Sequence, residues 1–387
     1  MKNLCCGWEE KAYPYICLEP DEGFGAATRA WQGCPTVAVT KKGRIFAGWY
    51  TGGMFEPCID NYNVLAMSDD GGETWIDPVL TIGTDKENRM RRIDIQLWMA
   101  ENNALWVMWT LSPYYETSKL ASIKDGWDID YHREFPCTEV MVCKDPDAEV
   151  LMWEKPRYLC DGFMRCKPIL TKTGRIIAPG YDYAGERYLL SLSDDHGESF
   201  RKVYAEGKPE VRVFDEIMPY ENAEGRLRFL ARTNTGWYLK ADSFDDGETW
   251  TKAENYVKAT NSRCYIGRMK DDSILFVGNA AEDSRTGMKV SLSVDGGETF
   301  AYEMLLENRE SVSYPDVDQD EAGNIYIVYD RERDNRAHLN TDTWVSEAAK
   351  EILLCRLTVE DIRRGTLGEG SFVRRVIAKG GMNVVER

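Results

Sequence analysis

Eight residues of this chain combine chemically capable types with recurring positions. Arg29, Asp94, Lys167, Glu216, Arg263 and Tyr314 each stand at the start of one of six similar stretches, and Arg232 and Arg285 lie on strands next to two of them. A guanidinium holds a carboxylate through two parallel, charge-assisted hydrogen bonds, and carboxylates beside it can move protons. Such a set suits a small acidic ligand. Other readings fit the same residues: Asp94, in Arg91-Arg92-Ile93-Asp94, as partner of its own neighbours, and Glu216 with Arg232 as a buried ion pair joining two strands. Asp330 and Arg331 are expected to pair with each other or with a neighbouring blade.

The elements that position these residues follow from two repeats. Ser68-Asp69-Asp70-Gly71-Gly72-Glu73-Thr74-Trp75 recurs in altered form at Ser193 to Phe200, Ser243 to Trp250 and Ser293 to Phe300. Each copy follows an alternating apolar stretch and reads as the turn after a strand, with Asp accepting backbone N–H groups, Gly supplying a positive φ and the final aromatic ring entering the core. These are Asp-box turns. Independently, a strand, a polar turn and another strand recur six times, the turns centring near Gly43, Asn103, Gly174, Gly225, Asp272 and Gly323. The expected fold is all-β: a six-bladed β-propeller with four-stranded antiparallel blades, residues 1–387 forming one domain.

Blades 2 and 6 lack the box. In blade 2 the segment Tyr114 to Asp147 is expected to be a long surface loop, and Thr358 to Arg364 a short helix. Either Phe372 to Ala378 or Tyr13 to Leu18 is expected to seal the ring. Trp98, Trp106 and Trp109 read as blade core, whereas Trp31 and Trp49 are the better candidates for stacking on a sugar.

With these motifs in place, the chain resembles bacterial sialidases and their Asp-box relatives over essentially its whole length. The resemblance implies a retaining exo-glycosidase that removes a terminal acidic sugar, sialic acid or a related ulosonic or uronic acid. It makes Glu216 the catalytic glutamate, with Arg232 16 residues on as the second arginine of a triad, Arg285 as the third, and Tyr314 in Ser313-Tyr314-Pro315-Asp316 as nucleophile. The residue types fit: a carboxylate nucleophile would be repelled by the sugar's own carboxylate, a phenol would not, and a phenol of pKa near 10 needs a base. The proton donor falls in the first blade, at Glu56 or Asp60, with Glu56 at the better distance from Ser68. Sialidases carry Arg-Ile-Pro where this chain has Gly33-Cys34-Pro35. Arg29 is therefore the expected substitute for the missing arginine, and Lys167 and Arg263 are further candidates to bind an anionic group. A non-catalytic carbohydrate-binding propeller, and a polysaccharide lyase or uronic-acid hydrolase on the same scaffold, stay open beside this reading.

Composition narrows the partners. A net charge of −17 disfavours nucleic acid and anionic membranes, while a local arginine cluster can still bind an acidic mono- or oligosaccharide. Eleven scattered cysteines and three isolated histidines give neither a disulfide framework nor a zinc pattern, so reduced thiols and neither metal nor cofactor are expected. Met1 to Glu10 has no basic start leading into an apolar run, which points to the cytoplasm.

Overall fold

Strands that alternate apolar and polar residues bury one face, and a closed ring of packed sheets covers the other. The computed structural model describes residues 4–6, 13–85, 90–113, 136–181, 187–207, 212–333 and 348–381. Six sheets, antiparallel except where Leu4–Cys6 adds in parallel to Leu151–Trp153 of blade 2, form a six-bladed propeller. The inner strands of blades 1 to 6 are Gln32–Val39, Met90–Met99, Ile169–Leu170, Arg212–Glu221, Tyr265–Arg268 and Val312–Gln319. Apolar cores fill the space between neighbouring blades: Ile177, Leu190 and Leu192 of blade 3, for example, join Ile217, Leu227 and Phe229 of blade 4.

The Asp-box turns are built as their letters require. Ser68 Oγ donates to Asp70 (2.8 Å) and accepts from the N–H of Gly72 (2.9 Å), while Asp70 also accepts from the N–H groups of Glu73 and Thr74. The Thr74 hydroxyl, which also donates to Asp70 (2.5 Å), and then these donors hold the Asp70 carboxyl down at about 2. Gly72 has φ 87°, and a Cβ there would meet Leu354 of blade 6 at 2.6 Å, so the glycine serves both turn and interblade packing. The short helix Val359–Arg364 forms behind a capping box made by Thr358 and Asp361.

One expectation is overturned. Cys137–Cys143, placed within a loop by its neighbours, is the third strand of blade 2, buried along its whole length; residues 114–135 lie outside the described residues. A strand covered on both faces has no polar alternation to betray it. Of the two strands expected to seal the ring, the C-terminal one completes the last blade, and its Ile377 and Ala378 join Val37, Val39 and Ile45 of blade 1 in one buried core. Phe372–Lys379 is the outer strand of blade 6 and Ile16–Cys17 extends blade 1. Carboxylates of blade 6 reinforce the closure on the inner strand of blade 1: Asp330 accepts from the N–H of Cys34 (2.7 Å), Asp316 from Val37 (2.9 Å) and Asp318 from Val39 (2.7 Å). Buried N–H groups that find no strand partner need such acceptors.

Candidate active site

Three inner strands share one local device. Register breaks between Gly33 and Thr36 in blade 1, Ile93 and Gln96 in blade 2, and Ser313 and Asp316 in blade 6. At each break one residue adopts a left-handed backbone: Cys34 (φ 56°), Asp94 (φ 55°) and Tyr314 (φ 54°). None is glycine, so each conformation costs about 1–3 kcal/mol and persists only because the surrounding sheet enforces it. Bulges of this kind re-aim a side chain. Here Cys34 and Tyr314 enter one buried cluster with Trp31, Tyr50, Ile93, Phe163 and Tyr181.

Above this apolar floor lies a compact charge network. The Tyr314 hydroxyl donates to Glu216 Oε1 at 2.6 Å. Arg232 Nη1 donates both to Glu216 Oε2 (2.8 Å) and to the Tyr314 oxygen (2.9 Å). Arg165 reaches Asp94 at 3.3 Å and Glu216 at 3.6 Å. Burial would raise the Glu216 carboxyl, but Arg232 and Arg165 hold it at about 2; burial and the Glu216 charge push the Tyr314 phenol up to about 12. The shared proton therefore rests on Tyr314. Asp94, 1% exposed, is raised to about 6, chiefly by burial and only partly offset by Arg165.

Arg285 and Arg333 flank the same phenol, with guanidinium carbons 5.4 and 4.2 Å from its ring centre. Arg333 donates to Glu56 Oε1 (2.6 Å), Asp330 Oδ2 (3.0 Å) and Ser313 Oγ (3.2 Å). Arg285 donates to Ser313 Oγ (3.4 Å) and the Asn261 carbonyl (3.3 Å), and among the described residues it has no carboxylate partner. Burial and the charges of Arg333 and Arg232 make its own charge harder to hold than an arginine's usually is. An anion placed between Arg285, Arg333 and Arg232 would relieve that repulsion.

Several residues expected at this mouth stand elsewhere. Arg29 is fully buried in a two-pronged pair with Asp77 (2.8 Å to each oxygen) and ties the start of blade 1 to its outer strand. Lys167 points along the axis to Asp316 (2.9 Å) and the carbonyls of Val37 and Val317. Arg263 lies beneath the Tyr314 ring, where Nη1 and Nη2 donate to the carbonyls of Arg165, Pro35, Tyr314 and Pro315; it braces the bulge instead of facing a ligand. Asp60 is exposed beside Cys58, and it is Glu56 that joins the network, also accepting from the Tyr50 hydroxyl. Trp31 and Trp49 are wholly buried and offer no stacking face to a sugar. Asp330 pairs with Arg333, while Arg331 pairs with Glu332 and Glu351.

Two members of the network escape sequence reasoning. Arg165 precedes Lys167 by two residues and takes the place at the mouth assigned to it. Arg333 has one signal, the glycine at position 33: a Cβ there would sit 2.9 Å from Arg333 Cδ and Nε. The side chain of blade 6 fills the space that blade 1 leaves empty.

A family model described as a BNR repeat-like domain matches residues 144–327. No curated protein matches the chain by sequence. Solved structures with the same fold include the intramolecular trans-sialidase from Ruminococcus gnavus in complex with oseltamivir carboxylate, at 16% identity and TM-score 0.69, covering 88% of this chain and 97% of that one. The leech intramolecular trans-sialidase is similar at 13% identity and TM-score 0.67, covering 88% and 70%. The NanB sialidase from Streptococcus pneumoniae gives 13% identity and TM-score 0.66, covering 87% and 70%. The chain thus matches the BNR repeat-like family over residues 144–327 and shares the six-bladed fold of these sialidase structures.

Proposed function

We propose that this protein is a retaining exo-glycosidase of sialidase type, acting on a terminal sugar whose anomeric carbon carries a carboxylate. The observation that carries the reading is the Tyr314 hydroxyl on Glu216 at 2.6 Å inside a group of arginines, one of them without a carboxylate partner among the described residues. The sugar's carboxylate binds Arg285, with Arg232 and Arg333 beside it. Tyr314 Oη attacks the anomeric carbon as its proton passes to Glu216 Oε1, and Arg232 Nη1 supports the charge on the phenolic oxygen. Because the two groups differ so much in proton affinity, that transfer accompanies bond formation and does not precede it. The bond to the leaving oxygen breaks, and Glu56, at the rim with 20% of its side chain exposed, supplies that oxygen's proton. Water then attacks the glycosyl-tyrosine, giving a proton to Glu56, and Tyr314 takes its own back from Glu216.

Turnover of aryl glycosides of sialic and related ulosonic acids, compared with Tyr314→Phe, tests the reading. Release of the aryl group by the parent and its loss in the variant support it; equal rates sink the nucleophile. One observation favours a second reading, a binding propeller without turnover: the pair with Arg333 keeps Glu56 ionised, and an ionised carboxylate donates no proton. That reading expects acidic sugars to bind and no product to form.

A further inference from the structure

We infer that Arg333 is shared between Glu56 and the carboxylate of an incoming acidic sugar, so that the sugar's arrival loads Glu56 with the proton it gives to the leaving oxygen. The inference rests on the proposed function and supplies what that mechanism lacks, a protonated Glu56.

The geometry leaves little freedom. If Tyr314 attacks the anomeric carbon, the carboxylate on that carbon comes within a few ångström of Tyr314 Oη and hence of the guanidinium stacked over the phenol ring. That guanidinium, 2% exposed, already serves two carboxylates, Asp330 and Glu56. A third negative charge over-compensates it, and in so dry a site one carboxylate must then take up a proton.

Glu56 is the one placed to yield. Asp330, fully buried, accepts from the N–H of Cys34 (2.7 Å), from Ser313 Oγ (2.6 Å) and from Arg333 Nε (3.0 Å), three donors that leave neither of its oxygens without a partner. Glu216 is pinned by Arg232 and Arg165. Glu56 hangs from a loop, is held by Arg333 and the Tyr50 hydroxyl, and has the Cys34 thiol 4.0 Å away and the charges of Arg165, Arg285 and Asp94 around it. In the free protein burial opposes its charge, and Arg333 first, then Arg165, keep its carboxyl below the usual range. An opposite charge beside a carboxylate lowers its pKa by about 1–3 units, so a ligand carboxylate that occupies Arg333 gives that shift back and lets burial decide. Gly33 makes the sharing possible, since a side chain there would take the space through which Arg333 reaches both groups.

The experiment is calorimetric titration of the full chain with unreactive, carboxylate-bearing 2,3-didehydro analogues of sialic acid and of its deaminated form. Near neutral pH, buffers of differing ionisation enthalpy report the protons exchanged. Binding should take up a fraction of a proton per site that grows as the pH is lowered from 7 toward 5, the uptake should vanish in Glu56→Gln, and it should persist in Asp94→Asn, which removes the other carboxyl raised toward neutrality. Binding without uptake, or uptake unchanged in Glu56→Gln, overturns the inference while leaving the acidic-sugar site intact. Failure of all the analogues to bind overturns the proposed function and this inference with it.

Discussion

Buried charge occurs at two levels of the same axis, and the two are used differently. Farther along the inner strands, beside a cavity of about 210 Å³ lined in part by Trp98, Tyr265, Arg268 and Asp318, Lys167 sends its ammonium to three acceptors, Asp316 and the carbonyls of Val37 and Val317. An ammonium has three N–H groups, so this one is spent. At the mouth the cations are not spent in this way: Arg285 has no carboxylate partner among the described residues, and Arg333 is divided between two. The strained bulges, too, gather at the mouth. Saturation, more than residue type, separates a charge that holds the ring from one that awaits a ligand.

Substitutions can break or sharpen that contrast. The largest effect is expected from Tyr314→Phe, which should lower kcat by about 10³-fold or more while leaving the unfolding midpoint nearly unchanged, read by initial rates and urea unfolding. Lys167→Met should show the reverse pattern. Leaving the Asp316 carboxylate buried without its cation costs about 3–5 kcal/mol, visible in urea, with little change in turnover per folded molecule. Arg285→Gln should raise KM for an acidic aryl glycoside about 10- to 100-fold, the worth of a charge-assisted bond of about 1.5–3 kcal/mol, without loss of stability. A destabilised Arg285→Gln would place that residue with Lys167.

Asp94 gives a pH signature of smaller size. Its folded-state value of about 6 lies above the unfolded range, so its contribution to stability is whole below about pH 4 and is lost as pH rises through 6. Across that window the stability of Asp94→Asn relative to the parent should improve by on the order of 3 kcal/mol, measured by urea unfolding at stepped pH. Least of all, Asp70→Ala in the exposed Asp-box turn should lower the melting midpoint slightly and leave kcat/KM unaltered, since its bonds are local to the turn.

Much of the fold was legible because its signals are local. The box letters specify a turn within eight residues, and the six strand-turn-strand units lie where the pattern places them. Cys137–Cys143 was missed because its burial on both faces depends on neighbours in space. In the site, Glu216, Arg232, Arg285 and Tyr314 do meet, whereas Arg29 and Lys167 do not join them. Counting along an inner strand gives its face but not its depth, and a two-residue slip exchanges Arg165 at the mouth for Lys167 beneath it.

The sequence by itself determined the number of blades, the chemistry of the turns and the presence of a tyrosine, a glutamate and two arginines in blades that adjoin at the axis. Only the tertiary structure decided which charges are already neutralised, and that Arg333 from blade 6 occupies the room above Gly33 of blade 1. The physical reason is range. Turn and strand preferences act over a few residues of chain, whereas neutralisation and space-filling act over a few ångström between residues up to 300 positions apart, as with Gly33 and Arg333.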